Sequence, residues 1–237
     1  MDLLVELAIS WILLWVFTKE DPRVLGLLPS IKRIENLFYG TLIAAFVCTL
    51  NYFLQTIFSG SNWSFNIDFT TKDFFYSSWW NLHSVLYEEL LFRGALLYLA
   101  IHFLGIKKGC FLSAICFGIY HWFSMNAFGN WWFMIYLFIG TGVMGYIFAL
   151  AYAKTNSLYL PIGLHFGWNF LNNVVFSQGP LGNQLLILKV GERFSVFENI
   201  IVVVVSTFLL PFCAFLYIKK LKAERADYEL TQGKNVD

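Results

Sequence analysis

Charged residues are scarce in this sequence. Only 13% of its 237 residues carry a charge, about half of the ~25% that is typical of a soluble domain, while 58% are hydrophobic and 20% aromatic. The mean hydropathy of +0.63 agrees with this composition. An ordinary soluble domain is therefore excluded, and the absence of a basic block argues against a nucleic-acid partner. We expect an integral membrane protein whose surroundings are the lipid bilayer.

Cysteine pairs and a signal peptide are also missing. The four cysteines form no CxxC pair and fall in or beside apolar segments, so we expect small buried side chains rather than disulfides or metal ligands. The N-terminus lacks the basic region and the small-residue cleavage site of a secretory signal, which predicts a short retained helix over residues 3–17. We expect residues 1–237 to form a single transmembrane domain.

Seven hydrophobic segments are predicted to be helices. A bilayer core about 30 Å thick requires about 20 apolar residues of helix, and the segments approach this length. They cover about residues 3–17, 37–58, 74–103, 109–125, 131–153, 157–177 and 199–218. The predicted fold is therefore all-α and polytopic, with about seven transmembrane helices and a polar tail over residues 219–237.

The lysines and arginines are distributed unequally between the two predicted sides of the membrane. The connections after the first, third and fifth helices, together with the tail, hold twelve of them, whereas the other connections hold three. Because cytoplasmic segments are enriched in Lys and Arg, we expect a multi-pass protein of the cell membrane with a cytoplasmic C-terminus. The fifth helix also carries Gly140, Gly142 and Gly145, which we interpret as positions of close helix approach.

Three ionisable residues interrupt the third predicted helix, in the stretch YEELLFRG. An ionisable side chain at bilayer depth costs about 2.5–3.5 kcal/mol on insertion scales, so Glu88, Glu89 and Arg93 must face the bundle interior. Glu89 and Arg93 are four residues apart, so they share a helix face and are expected to pair. Glu88 then requires a partner from another helix.

Two histidines and an asparagine are the candidate partners. His165 and Asn169 share a face of the sixth helix, and His121 lies in the fourth. At 1.5 Å per residue, His121, His165 and Arg93 lie roughly 17–21 Å from the lysines on one side of the membrane, Asn169 roughly 23 Å and Glu88, the deepest, roughly 29 Å. Each residue alone has a structural explanation as interhelical glue, but together they predict one buried polar cavity. Phe117, one turn before His121, would form part of its wall.

These residues form three motifs that resemble a known family. They read EExxxR (Glu88 to Arg93), FxxxH (Phe117 to His121) and HxxxN (His165 to Asn169), in that order on successive predicted helices. The combination is similar to the CPBP family, the CAAX prenyl protease type II and bacteriocin-processing proteins, also called the Abi family. The resemblance covers about residues 75–177, which would be the catalytic core. The first, second and seventh predicted helices match only in being hydrophobic.

The resemblance implies a glutamic intramembrane endopeptidase that needs no cofactor. Glu88 and His121 would activate a water molecule and later return the proton to the leaving amine, while His165 and Asn169 would stabilise the oxyanion. Such chemistry is sensible for amide hydrolysis, because one carboxylate can serve as base and then as acid. Cys116 precedes Phe117, but no base arrangement suggests that it acts as a nucleophile.

The resemblance also implies supporting residues and a substrate class. Glu89 and Arg93 would orient Glu88, and Phe117 would limit water in the cavity. The substrate would be a prenylated CAAX-type protein or a membrane-associated peptide or leader. The sequence leaves the cleavage site and the oligomeric state open.

Three alternatives remain at this point. A zinc protease could use Glu88, His121 and His165 as three ligands with one open position, although the sequence contains no HExxH. A transporter or proton relay could use the same intramembrane ionisable residues. A catalytically idle scaffold or immunity protein would keep the motifs without using them.

Overall fold

The chain is built almost entirely from helices, as the composition predicts. A computed structural model describes residues 3–177, 179–189, 191 and 193–221. Residues 222–237, most of the predicted cytoplasmic tail, lie outside the described part. Within it are eight α-helices: α1 (Leu3–Thr18), α2 (Ile31–Ser59), α3 (Thr71–Arg93), α4 (Ala95–Leu104), α5 (Ile106–Ser124), α6 (Trp131–Thr155), α7 (Tyr159–Phe170) and α8 (Val196–Lys220). The all-α prediction is confirmed for these residues.

The third predicted helix, over residues 74–103, is wrong as a single element because it breaks at Gly94. This glycine has φ −76° and ψ −132°, which is outside the helical region, although its N–H still donates to the carbonyl of Leu90 at 3.1 Å. A β-carbon at this position would collide with that carbonyl oxygen. The absence of a side chain therefore permits α3 to end directly after Arg93 and α4 to begin in a new direction.

Among the described residues, three helices are long and apolar enough to cross a membrane by length and composition. They are α2, α6 and α8, and α1 is a shorter apolar helix of 16 residues. Together with the hydropathy of the chain, they indicate a membrane protein. The count of seven spans stays a prediction, because the other described helices do not meet both criteria.

Helix α7 lies in the centre of the packing. It runs along α2 and contacts α3 and α6, while α8 covers α2 and α6 and α5 packs on α6. Gly163 and Gly167 allow the close approach to α2, because a β-carbon at either position would strike the backbone of Leu37 or Thr41. After Phe170 the helix continues as a π-helical turn, Leu171–Phe176.

The connections between helices meet at two opposite ends. At one end, the segment after α1 meets the segment after α6: Ser157 Oγ donates to the carbonyl of Gly26 at 3.1 Å, and Tyr159 Oη donates to that of Leu27 at 3.1 Å. At the other end, β1 (Asn62–Phe65) pairs antiparallel with β2 (Leu186–Lys189). This pairing of ends agrees with the alternation expected from the sequence. Which end is cytoplasmic stays a prediction.

Candidate active site

The two charges at the end of α3 form a fully buried ion pair. Arg93 Nη1 lies 3.2 Å from Glu89 Oε1, and both side chains are 0% exposed. The predicted pairing of these residues is therefore confirmed. Buried charges are tolerated only when paired and hydrogen-bonded, and the i, i+4 spacing on one helix supplies the first partner.

Arg93 is further held by aromatic rings and by the backbone of α6. Its guanidinium carbon lies 4.0 Å from the ring centroid of Phe117 and 5.2 Å from that of Phe148. Its Nη2 donates to the carbonyl of Gly145 at 3.3 Å. A β-carbon on Gly145 would approach that nitrogen to 3.2 Å and the Phe117 ring to 2.9 Å, so this site requires a glycine. Arg93 thereby ties α3, α5 and α6 together.

His165 on α7 lies between the two glutamates of α3. Its Nδ1 is 2.7 Å from Glu89 Oε1, and its Nε2 is 3.8 Å from Glu88 Oε2. The imidazole stacks on Phe148, with 5.1 Å between ring centroids. The sequence interpretation gave Glu89 the role of orienting Glu88; in the structure its Oε1 instead contacts both Arg93 and His165.

Glu88 makes fewer contacts than Glu89. Its side chain is 13% exposed, and its Oε2 is buried without a hydrogen-bond partner in the described residues. The separation of 3.8 Å between this oxygen and Nε2 of His165 is too long for a hydrogen bond. Glu88 is therefore the one of the two carboxylates with an acceptor still available.

His121 on α5 is held differently from His165. Its Nδ1 lies 2.8 Å from the carbonyl oxygen of Phe117, one turn earlier. Because a carbonyl can only accept, Nδ1 must carry the hydrogen, and the neutral imidazole therefore has its lone pair on Nε2. The Phe117 ring packs against the imidazole at 4.5 Å. In the described part of the chain, no hydrogen bond joins His121 directly to Glu88.

A cavity of about 210 Å³ lies among α5, α6, α7 and α8. His121, His165 and Asn169 contribute polar groups to its wall, and Phe117 closes one side as predicted. No hydrogen bond to another described residue occupies the amide of Asn169. The remaining lining residues come from α6, α7 and α8: Tyr136, Leu137, Gly140, Thr141, Met144, Phe148, Trp168, Ser206 and Thr207.

Two of the three motifs, FxxxH and HxxxN, line this cavity. Glu88, Glu89 and Arg93 are not among its lining residues, so the EExxxR motif meets the cavity only through the residues that it contacts, His165 and Phe117. The expected convergence on one cavity therefore holds for two motifs and is wrong for the third.

A chain of amide hydrogen bonds lies beside the cavity and was not anticipated. Tyr52 Oη donates to Asn172 Oδ1 at 2.7 Å, Asn172 Nδ2 to Asn173 Oδ1 at 2.8 Å, and Asn173 Nδ2 to Asn81 Oδ1 at 3.0 Å. Asn81 is 0% exposed and bonds in turn to the carbonyl of Ser77. The chain therefore links α2, the π-helical turn and α3.

This amide chain forms a second contact between α3 and the segment that continues α7, about two helical turns from the glutamates. Asn81 precedes Glu88 by seven residues, and Asn173 follows His165 by eight, so the two contacts are about 10–12 Å apart along each helix. The spacing is a signal that the sequence contains, because both asparagines fall on the faces that carry the motif residues. The two levels together fix the register of α3 against α7.

No arrangement suited to a metal ion occurs among the residues that the structure describes. No group of three or more His, Cys, Asp or Glu side chains there is placed to bind one, and this includes the set Glu88, His121 and His165. The donors that meet at His165 are instead arranged as ion pairs and hydrogen bonds.

Comparison with known proteins finds a similarity in the central part of the chain. Residues 70–171 match the family model described as type II CAAX prenyl endopeptidase Rce1-like. The match extends from the residue that caps α3 to the start of the π-helical turn, so it contains all three motifs. No curated protein and no solved structure matches the chain.

Proposed function

We propose that this chain is an intramembrane endopeptidase that uses a water molecule as nucleophile. The proposal starts from the match of residues 70–171 to the type II CAAX prenyl endopeptidase family. The observation that carries this proposal is the cavity in which a histidine with a free Nε2 lone pair faces a histidine held by two carboxylates. This asymmetry suits amide hydrolysis, which needs a base at one position and oxyanion donors at another.

The attacking water would be activated by Glu88 and His121. Both offer a free acceptor: the buried Oε2 of Glu88 has no partner in the described residues, and the hydrogen on Nδ1 of His121 directs the lone pair of its Nε2 away from the backbone. A water bridging these atoms would lose a proton as its oxygen attacks the substrate carbonyl carbon. The same groups would then return the proton to the leaving amine. General acid–base catalysis of this kind contributes about 10²–10⁴ to the rate.

The oxyanion of the tetrahedral intermediate would be stabilised by Asn169 and His165. The amide of Asn169 supplies an N–H₂, and His165 supplies an N–H from its Nε2 when its imidazole is protonated. Glu89 Oε1 holds the ring at 2.7 Å from its Nδ1, and Nε2 lies 3.8 Å from Glu88 Oε2. Each donor aimed at a developing oxyanion contributes about 10²–10³.

Glu89 and Arg93 would act by holding His165 rather than by orienting Glu88. Glu89 Oε1 contacts the histidine and the arginine at once, so the guanidinium fixes the carboxylate and the carboxylate fixes the ring. Rotation of the imidazole is further limited by its stacking on Phe148. The pair therefore prepares the oxyanion site before the substrate arrives.

The substrate class follows from the family and from the position of the cavity. We infer a prenylated CAAX-type protein or another membrane-associated peptide, cleaved by a multi-pass protein of the cell membrane whose C-terminus is cytoplasmic. Its partners would be this peptide or protein substrate and the lipid bilayer.

The test is cleavage of a peptide library by the purified protein in liposomes. Half of the peptides would carry a farnesylated cysteine, and products would be identified by mass spectrometry. Wild type should cleave, and Glu88→Gln, His121→Ala and His165→Ala should each lose at least about 10²-fold in kcat/KM. His102→Ala is the matched control, because His102 is exposed on α4 and lies outside the cavity lining.

Three outcomes would overturn the proposal. Full activity of any of the three cavity variants would remove the assigned role of that residue. Loss of activity with a chelator and recovery with zinc would favour the metal-dependent version. Ion or proton flux that depends on Glu88, without any peptide product, would favour a transporter.

A further inference from the structure

The three glycines of α6 have different surroundings, which the sequence alone could not distinguish. At Gly145 a β-carbon would strike Phe117 and Arg93, so close helix approach explains that glycine. At Gly142 the nearest atom would be the carbonyl oxygen of Ala114, at an ordinary 3.7 Å. At Gly140 no atom would lie within 4 Å, so the interpretation of this residue as a close-approach position is wrong.

The open space at Gly140 belongs to the cavity of the proposed active site. Gly140 lines that cavity together with His121 and His165, one turn away from Met144 and beside Leu137 on the same helix. Packing does not account for the missing side chain, and glycine is an unfavourable residue in the interior of a helix. The missing side chain of Gly140 leaves open space in the cavity that His121 and His165 also line, and apolar side chains border this space.

The cavity reaches the surface of the bundle between α6 and α8. Tyr136 of α6, which is 46% exposed, and the half-buried Ser206 of α8 both line it. Both helices are candidate membrane spans that expose apolar side chains, among them Ile139 of α6 and Val203 of α8. The hydroxyl of Ser206 is bonded to the carbonyl of Val203 in its own helix, so an apolar group beside it leaves no new unpaired hydroxyl.

We propose that the space beside Gly140 is a specificity subsite that receives one bulky apolar side chain of the substrate, entering from the bilayer between α6 and α8. The inference rests on the proposed function and adds the residue that sets the size of the accepted side chain. A leucine at position 140 would place its side chain in the subsite, and its β-carbon would have no atom within 4 Å. A substrate side chain that needs the space would then be displaced from the catalytic histidines.

The experiment compares Gly140→Leu with Gly142→Leu on matched peptides. Gly142 lies two residues further along the same helix and lines a separate apolar groove between α5 and α6, so it controls for the effect of a leucine in α6. A peptide that wild type cleaves would be prepared with alanine or phenylalanine at each of the two positions on either side of the cleaved bond. Values of kcat/KM would be measured for both variants in liposomes.

The expected result is a change in selectivity rather than a general loss. At one peptide position, Gly140→Leu should lower kcat/KM for phenylalanine at least about tenfold more than for alanine, which is within the range for steric exclusion from an apolar pocket. Gly142→Leu should leave the ratio unchanged. An equal loss for all peptides, or no loss for any, would overturn the subsite. Failure of wild type to cleave any peptide would instead overturn the proposed function, on which the subsite depends.

Discussion

Removing the positive charge of Arg93 should be among the most destabilising single changes in this protein. Both members of the Arg93–Glu89 pair are 0% exposed, and the guanidinium also contacts the Gly145 carbonyl and the Phe117 ring. Methionine keeps most of the volume of the side chain but leaves the carboxylate of Glu89 buried beside His165 alone. Breaking a buried ion pair in this way costs about 3–5 kcal/mol. We expect Arg93→Met to lose that amount of unfolding free energy.

The double variant Arg93→Met with Glu89→Gln separates the effect of charge from that of packing. Glutamine retains an oxygen that can accept from His165 but carries no charge, so no uncompensated carboxylate remains. We expect the double variant to be more stable than Arg93→Met alone, with a coupling energy of about 1.5–3 kcal/mol. Reversible unfolding by sodium dodecyl sulfate in mixed micelles, followed by circular dichroism, would give the free energies of unfolding. They would be measured for wild type, Arg93→Met, Glu89→Gln and the double variant.

Arg23 supplies the matched control for this cycle. Its ion pair with Asp21 has nearly the same chemistry, but the arginine side chain is 76% exposed. Exposed pairs contribute little because water competes for both charges, so Arg23→Met should have almost no effect. The reasoning is refuted if Arg93→Met costs no more than Arg23→Met, or if the double variant is no more stable than Arg93→Met.

Three further predictions test close contacts elsewhere in the fold, and the free energy of unfolding is measured for each variant by the same assay. Gly145→Ala should cost about 1–3 kcal/mol through overpacking, whereas Gly142→Ala, with ordinary space, should be nearly neutral; equal effects would contradict the contacts. Asn173→Leu should cost about 1–3 kcal/mol because the fully buried Asn81 then loses the donor to its Oδ1. A neutral result would show that the amide chain does not stabilise the packing of α3. Gly26→Ala should be worse than Gly60→Ala, since both have positive φ but only Gly26 lies against another segment.

The sequence predicts the site better than it predicts the helices that hold it. Motif spacing identifies which side chains share a face, and the cost of charge in a bilayer requires those faces to meet. The contact between the glutamates of α3 and a histidine of α7 therefore follows from sequence, whereas the position of these glutamates outside the cavity lining does not. The break at Gly94 does not follow either, because apolar residues stand directly on both sides of it, at 90–92 and 95–97, and glycine is common in membrane helices. The difference between Gly140 and Gly145 is likewise absent from the sequence, since it depends on which face of α6 meets Arg93.

The roles of the two histidines illustrate where sequence reasoning stops. Both lie in motifs of the same length, and nothing in the spacing decides which of them Glu89 contacts. The rotation of each helix about its axis determines the contact. Helix α7 directs His165 towards α3, where its Nδ1 lies 2.7 Å from Glu89 Oε1, whereas His121 on α5 is bonded to the carbonyl of Phe117 in its own preceding turn. Both partners are acceptors, so each of the two rings is held through its Nδ1, and the histidines differ in what holds them. The carboxylate joins His165 to the Glu89–Arg93 pair of another helix, whereas the carbonyl ties His121 only to its own helix. This difference depends on the rotation of α5 and α7 about their axes, which the spacing within a five-residue motif does not encode.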